Sequence, residues 1–357
     1  ERVALEDAIS NVTLFHEQSG LRDWIKPNHH GGIVGERYYP INRVGIYIPG
    51  GQVPLVSTVV MTVTLAKVAG VPEIAVVTPP NKSGNISSHL LAALQLLGVD
   101  EIYKIGGAQA VAALAYGSQT ISPVDKVFGP GNAYVNEAKR QVFGEVGIDL
   151  LPGPSEIMVI ADKTASPQRV AAALLAQAEH GSGKEKIYFL FQDKDIFPKV
   201  LHEMDSQLTH LSHAPSICNV LERGFFAVCL PKRERLVEVA NFIAPEHLEL
   251  QVCSNDYEFF LSKITTAGAF LVGHETATSV GDFAAGPSHV LPTGRSSRFS
   301  SGLRLQDFLR RSSVIRYDSE SCHKAAPVIE QFASMEKLDG HGNAHKLRLS
   351  DKPVITQ

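Results

Sequence analysis

Short apolar runs alternate strictly with helical runs between residues 44 and 143, and that alternation leaves little choice of architecture. Residues 44–48, 74–78, 101–105 and 124–128 read as strands, and 55–69, 86–97, 109–116 and 133–143 as helices. The strands show little polar alternation, so both of their faces must be buried. Strands buried on both faces and joined by helices make a parallel sheet covered on each side. Gly70 and Gly98 follow two of the helices, at the place where a left-handed residue ends a helix.

The alternation then restarts. Residues 156–161, 187–191, 225–230, 248–252 and 267–272 read as strands, with helices at 168–179, 196–208 and 235–243. Ser166-Pro167 supplies an N-cap and a first-turn proline. The expected fold class is α/β: two Rossmann-like parallel-sheet units, a helical N-terminal segment and a small C-terminal tail domain. The expected boundaries are 1–41, 42–150, 151–315 and 316–357. Within them, 1–18 reads as helix, 26–36 as a polar connection, 294–302 as an Arg-, Ser- and Gly-rich loop near a site, and 321–357 as helical, then polar.

Composition excludes several functions. With 44% hydrophobic and 20% charged residues the chain is of the soluble globular kind. A net charge of -4 gives no pull toward nucleic acid or an anionic membrane, and no apolar run reaches membrane-spanning length. The four cysteines form no CxxC pair, which argues against a disulfide framework or a thiolate zinc site and suits a reducing cytoplasm. The first residues are charged and helical, unlike a secretory signal. The chain starts without Met, so a missing or processed N-terminal segment is expected.

Five stretches could carry chemistry. In NFIAPEHLEL, residues 241–250, Pro245 forces a bend and sets Glu246 beside His247 on a helix-to-strand connection. An adjacent carboxylate and imidazole can serve two different proton transfers; the bland alternative is a solvated loop. Gln177 and His180, three apart at a helix end, share a face and can supply oxygen and nitrogen to one zinc ion, or be a frayed polar terminus. In GDFAAGPSH, Asp282 is a possible oxygen ligand and His289 a proton carrier or substrate contact, or the stretch is a glycine-rich turn. The turns Pro49-Gly50-Gly51, Gly106-Gly107-Ala108-Gln109 and Gly129-Pro130-Gly131-Asn132 follow strands and precede helices, where doubly wound sheets bind phosphate-bearing ligands. None is a GxGxxG fingerprint. Finally, residues 335–345 hold two histidines and two acidic residues beyond both sheets, a solvated tail unless it reaches a partner subunit.

Together these stretches resemble the histidinol dehydrogenase family. RVGIYIPGG, GGAQAVAALAYG, KVFGPGNAYV, KRQVFGEVGID, GPSE, LLAQAEHG, APEHLEL, GDFAAGPSHVLPTG and RFSSGL occur in the family's order and approximate spacing. The resemblance implies a zinc enzyme that oxidises L-histidinol to L-histidine with two NAD, as a cytoplasmic homodimer with a shared active site. It implies Gln177, His180, Asp282 and the partner subunit's His341 as zinc ligands. His247 is implied as the base for the alcohol and Glu246 as the base for the second oxidation. Ser155, His289 and Glu336 match the substrate contacts, and Tyr47, Gln109 and Asn132 the NAD contacts. The resemblance leads one to expect a further N-terminal segment, before the position of Glu1 and outside this sequence. In the tail, Lys337 and Gly340 replace the usual residues, and a rival alignment would use His345 in place of His341. The Gly-His tail and AGPSH also resemble relatives that oxidise other polyols, such as dihydroxypropanesulfonate. A zinc hydrolase using Glu246 without NAD, or a binding protein without activity, are the readings from other classes.

Overall fold

A computed structural model describes residues 1–50 and 54–350; Gly51 of the first glycine turn lies outside the described residues. In chain order the elements are α1 (Arg2–Gln18), β1 (Trp24–Pro27), β2 (Ile33–Pro40), β3 (Arg43–Tyr47), α2 (Val56–Val68), β4 (Glu73–Val77), α3 (Ser88–Leu96), β5 (Glu101–Tyr103), α4 (Gly107–Tyr116), β6 (Lys126–Phe128), α5 (Ala133–Val142) and β7 (Gly147–Ile148). Then come β8 (Glu156–Ala161), α6 (Pro167–Ala178), β9 (Lys186–Phe191), α7 (Ile196–Leu208), α8 (Ala214–Gly224), β10 (Phe225–Cys229), α9 (Arg233–Ile243), β11 (His247–Gln251), α10 (Tyr257–Lys263), β12 (Ala269–Val272) and α11 (Thr278–Phe283). Last are β13 (Leu309–Arg316), α12 (Ser319–Glu336) and α13 (Asp339–Ser350).

Two five-stranded sheets share one topology, β5-β4-β3-β6-β7 and β10-β9-β8-β11-β12. Every neighbouring pair in both is parallel. In each, the first strand lies centrally, two strands step outward, and the chain crosses back to the other side. Alternate residues of a strand serve opposite layers. Ile157, Val159 and Ala161 of β8 pack under α6, α7 and α8, while Met158 and Ile160 pack with Leu248, Leu250 and Phe260. Burying each such Val, Ile or Leu contributes roughly 1.5–3 kcal/mol, which is why these runs carry no polar face.

The glycines after α2 and α3 act as expected. Gly70 and Gly98 have φ of 76° and 61°. The N–H of Gly70 bonds to Lys67 and that of Val71 to Ala66, and Gly98 and Val99 repeat the pattern with Gln95 and Leu94. These paired bonds satisfy the last carbonyls of each helix.

Glu1–Ser19 and Ile41–Phe308 form one compact unit, containing both parallel sheets; Gly20–Pro40 and the chain from Leu309 onward form a second. The compact units are thus two, where the sequence reading draws four segments, 1–41, 42–150, 151–315 and 316–357. The stretch 26–36, read as a polar connection, overlaps the end of β1 and the start of β2, which form an antiparallel sheet with β13 in the order β1-β2-β13. Arg316 pairs with Ile33 and Leu309 with Pro40. Nothing local signals a partner so far along the chain, and β1 is exposed throughout, without the apolar alternation that marks a strand. The same unit contains α12, started by an Asp318–Ser321 capping box. The part of the tail read as polar continues as α13. Among the described residues no helix is long and apolar enough to cross a membrane.

On α1, His16 is only 1% exposed and neither ring nitrogen has a partner. Burial lowers its pKa to about 4, so the ring is neutral in the folded chain. The unfolded chain takes up a proton near pH 6.5, so the folded state loses on the order of 3 kcal/mol relative to it as pH falls from about 6.5 to about 4. Above that window the contribution is complete. Replacing His16 with Leu should flatten this part of the profile, which urea midpoints at neutral and acidic pH would measure. Parallel losses in both proteins would mean that the folded ring is already charged.

Candidate active site

Glu246 and His247 stand where α9 gives way to β11. Ala244 ends α9 in the left-handed region, with φ 52°, because the following Pro245 disfavours the right-handed one. His247 is the first residue of β11 and pairs with Ile157 of β8. The main chain of Glu156, next to Ile157, holds both side chains. Its N–H donates to Glu246 Oε2 at 2.8 Å, and its carbonyl lies 3.2 Å from His247 Nδ1. A carbonyl can only accept, so Nδ1 carries the proton of that bond and Nε2 is the basic nitrogen of the neutral ring. Nε2 is buried without a hydrogen bond, 3.4 Å from Asp282 Oδ1.

The charges of this group are strongly shifted. Burial raises the Glu246 carboxyl to about 7, against the pull of His247. For His247 burial works against the charge, but Asp282 and Glu246 outweigh it and raise the imidazole to about 9. Nearby His289 is lowered, chiefly by burial, with Asp282 acting in the opposite sense.

Asp282 is delivered by α11, which lies against β11 with matching spacing. His247 and Glu249, two apart on the strand, are roughly 6.7 Å apart. Asp282 and Thr278, four apart on the helix, are separated by roughly 6 Å. Thr278 Oγ1 donates to Glu249 Oε2 at 3.3 Å, and Gln251 Nε2 donates to the other Glu249 oxygen at 2.6 Å. Glu249 therefore anchors the start of the helix whose end faces His247.

Gln177 lies in the last turn of α6, buried, with its side-chain Nε2 unpartnered. His180 follows the helix end, and its Nδ1 is 3.2 Å from the Gln177 carbonyl. By the same reasoning His180 Nε2 is free to accept or to ligate. An amide, an imidazole nitrogen and the Asp282 carboxylate are a mixed N/O donor set suited to zinc. Among the described residues no three His, Cys, Asp or Glu side chains are grouped to hold a metal, so such a site needs the amide and a further donor.

The first sheet supplies the other wall. Tyr47 ends β3 and accepts the Gly107 N–H on its hydroxyl at 3.2 Å. Asn132 caps α5, accepting from the N–H groups of Tyr134 and Val135 at 3.0 and 3.2 Å. A cavity of about 510 Å³ is lined by Tyr47, Gly50, Asn132, Ser155, His180, Glu246, His247, Asp282 and His289, among others. A larger groove of about 960 Å³ shares Asp282 but is walled mainly by α1, α2 and α3 and contains neither Glu246 nor His247. The smaller cavity is the one equipped for chemistry.

The two sheets present opposite ends to this cavity. Sheet one gives the carboxyl ends of its strands and the start of α5, where Asn132 caps the Tyr134 and Val135 N–H groups and the positive end of the helix dipole favours anions. Sheet two gives the amino ends of β8 and β11, together with the end of α6, where the negative end of the helix dipole favours cations.

Eight of the twelve expected site residues line this cavity, and Gln177 is buried three residues before His180. Gln109 is exposed on the first turn of α4 and is not among the lining residues. Glu336 ends α12 and His341 is on α13, both exposed and both in the second compact unit. Sequence reasoning passed over Glu156 and Glu249. For Glu249 the signal was present, since a carboxylate inside an apolar parallel strand needs an internal partner, whereas Glu156 acts through its main chain, which no side chain announces.

A family model described as histidinol dehydrogenase matches residues 1–349. The chain is 43% identical over 346 residues to a histidinol dehydrogenase of Lactiplantibacillus plantarum, covering 97% of this chain and 80% of that one. It is 44% identical over 349 residues to one from Rhizobium meliloti, covering 97% and 79%. A crystal structure of histidinol dehydrogenase from Elizabethkingia anophelis superposes with a TM-score of 0.93 at 38% identity, covering 97% of this chain and 79% of that one.

Proposed function

The chain belongs to the histidinol dehydrogenase family, and from that premise and the geometry of the cleft we propose that it oxidises L-histidinol through L-histidinal to L-histidine, passing two hydrides in turn to NAD. The carrying observation is the pair of bases on one cavity, each held by a different main-chain atom of Glu156. The two oxidations remove protons from different oxygens, and one base per oxygen meets that need.

His247 Nε2 accepts the hydroxyl proton of the alcohol as the carbinol hydride departs. Glu246 then takes a proton from the water that adds to the aldehyde, and the hydrate loses the second hydride to give the acid. Gln177, His180 and Asp282, with His341 of a second copy of the chain, would hold zinc. Zinc supplies a fixed positive charge that orients the imidazole and amine of the substrate and polarises its hydroxyl. With Asp282 so engaged, the charge that holds the His247 proton would be weakened, and the ring would be available as a proton acceptor. Ser155, His289 and the partner copy's Glu336 would contact the substrate. Tyr47, Gln109 and Asn132 would contact NAD, which supplies the hydride acceptor.

The test is stoichiometric. Purified protein with zinc and NAD, given limiting L-histidinol, is expected to form two NADH per substrate. Turnover of dihydroxypropanesulfonate with none of histidinol would transfer the site to another polyol. Hydrolytic activity without NAD would remove the dehydrogenase reading altogether.

A further inference from the structure

The motif from Lys139 to Asp149 has no part in the chemistry above, yet its two ends meet. Lys139 and Asp149 form an ion pair in which both side chains are 0% exposed. Both also grip one main-chain residue. Lys139 Nζ donates to the Gly129 carbonyl at 3.0 Å, and Asp149 Oδ2 accepts the Gly129 N–H at 2.7 Å. Gly129 has φ 106°, and a Cβ there would lie 2.0 Å from the Tyr47 carbonyl oxygen. Only glycine fits so close to the end of β3 in that conformation.

Gly129 opens the turn whose next three residues, Pro130, Gly131 and Asn132, line the active cavity. The far end of the turn is tied by the Asn132 cap on α5, the helix that also carries Lys139. A buried ion pair is a weak source of stability, because removing two charges from water costs about as much as their attraction returns. An apolar pair would pack equally well, but it could not bond both polar groups of Gly129.

We propose that Lys139 and Asp149 are positioning residues for the nucleotide-facing turn: they fix Gly129 so that residues 130–132 are preorganised against NAD. This rests on the reading of the cleft as an NAD site. Single substitutions would strand a buried charge and unfold the chain, so the test uses the full chain carrying Lys139→Met with Asp149→Leu. This variant should unfold cooperatively, like the parent. Its Kd for NAD, measured by calorimetry without the alcohol, and its KM for NAD should both rise by roughly tenfold, the scale of one or two lost hydrogen bonds. KM for the alcohol and kcat at saturating NAD should stay within about twofold, because neither residue touches those groups. Lys139→Met with Asp149→Asn keeps an acceptor for the Gly129 N–H and should restore part of the NAD affinity.

An unchanged KM for NAD in the folded Met/Leu variant would overturn the inference, and so would a Met/Asn variant no better than Met/Leu. The parent enzyme is assayed alongside. Absence of NAD turnover there overturns the functional reading and this inference with it, whereas normal parental turnover with unchanged variants overturns this inference alone.

Discussion

Replacing Glu246 with Gln is expected to stop the enzyme halfway, with L-histidinol yielding one NADH and L-histidinal accumulating. Glu246 is buried and its Oε2 is held by the Glu156 N–H. A glutamine of the same shape keeps that acceptor through its amide oxygen, so the strand end stays in place. It cannot take a proton from water. Loss of a positioned general base slows a step by roughly 10²–10⁴-fold, and here only the aldehyde step depends on this group. The pH dependence follows from the burial that raises Glu246 to about 7. The base works as the carboxylate, so aldehyde oxidation should be level above about pH 7 and fall about tenfold per unit below it. That acid limb should vanish in the Gln variant. Single-turnover NADH yield with trapping of the aldehyde, measured from pH 5.5 to 8.5 (roughly one to two units either side of the Glu246 value), checks both points. Two NADH per histidinol at the parental rate would place the second base elsewhere.

The complementary change, His247→Asn, is expected to block the first oxidation and spare the second. The asparagine amide can stand in for Nδ1–H and still donate to the Glu156 carbonyl, which preserves the start of β11. What disappears is Nε2, the nitrogen that faces Asp282 at 3.4 Å. Histidinol oxidation should fall by roughly 10²–10⁴-fold, while added L-histidinal is still converted to the acid. Comparing the two substrates in one variant removes fold stability from the comparison. If His247→Asn slowed aldehyde oxidation as much as alcohol oxidation, the division of labour between neighbours would be wrong. If it left the alcohol step intact, Nε2 would not be the base.

Much of this was legible in the chain. The period of the apolar runs pointed to two parallel sheets, and both are present with the same strand order. Gly70 and Gly98 marked helix ends correctly because their task is local. Pro245 announced the bend that sets Glu246 and His247 at the head of a strand. The boundary slip at the site was also local: β11 begins at His247, one residue before the apolar run. Other features had no local signature. The pairing of β2 with β13, and the grip of Glu156 on Glu246 and His247, join residues far apart in the chain. Lys139 and Asp149 sit ten residues apart in the motif KRQVFGEVGID, which says nothing of their meeting around Gly129.

The sequence by itself determined the element types, the parallel sheets and the residue kinds available for proton transfer, because periodicity, helix caps and turn residues act over a few positions. Only the tertiary structure decided that the first sheet offers the carboxyl ends of its strands and the second the amino ends of its own. That arrangement sets an anion-favouring wall opposite a cation-favouring one and brings Asp282 to His247. It depends on packing between elements far apart in the chain (β3 and β6 on one side, β8, β11 and α11 on the other), which no local pattern encodes.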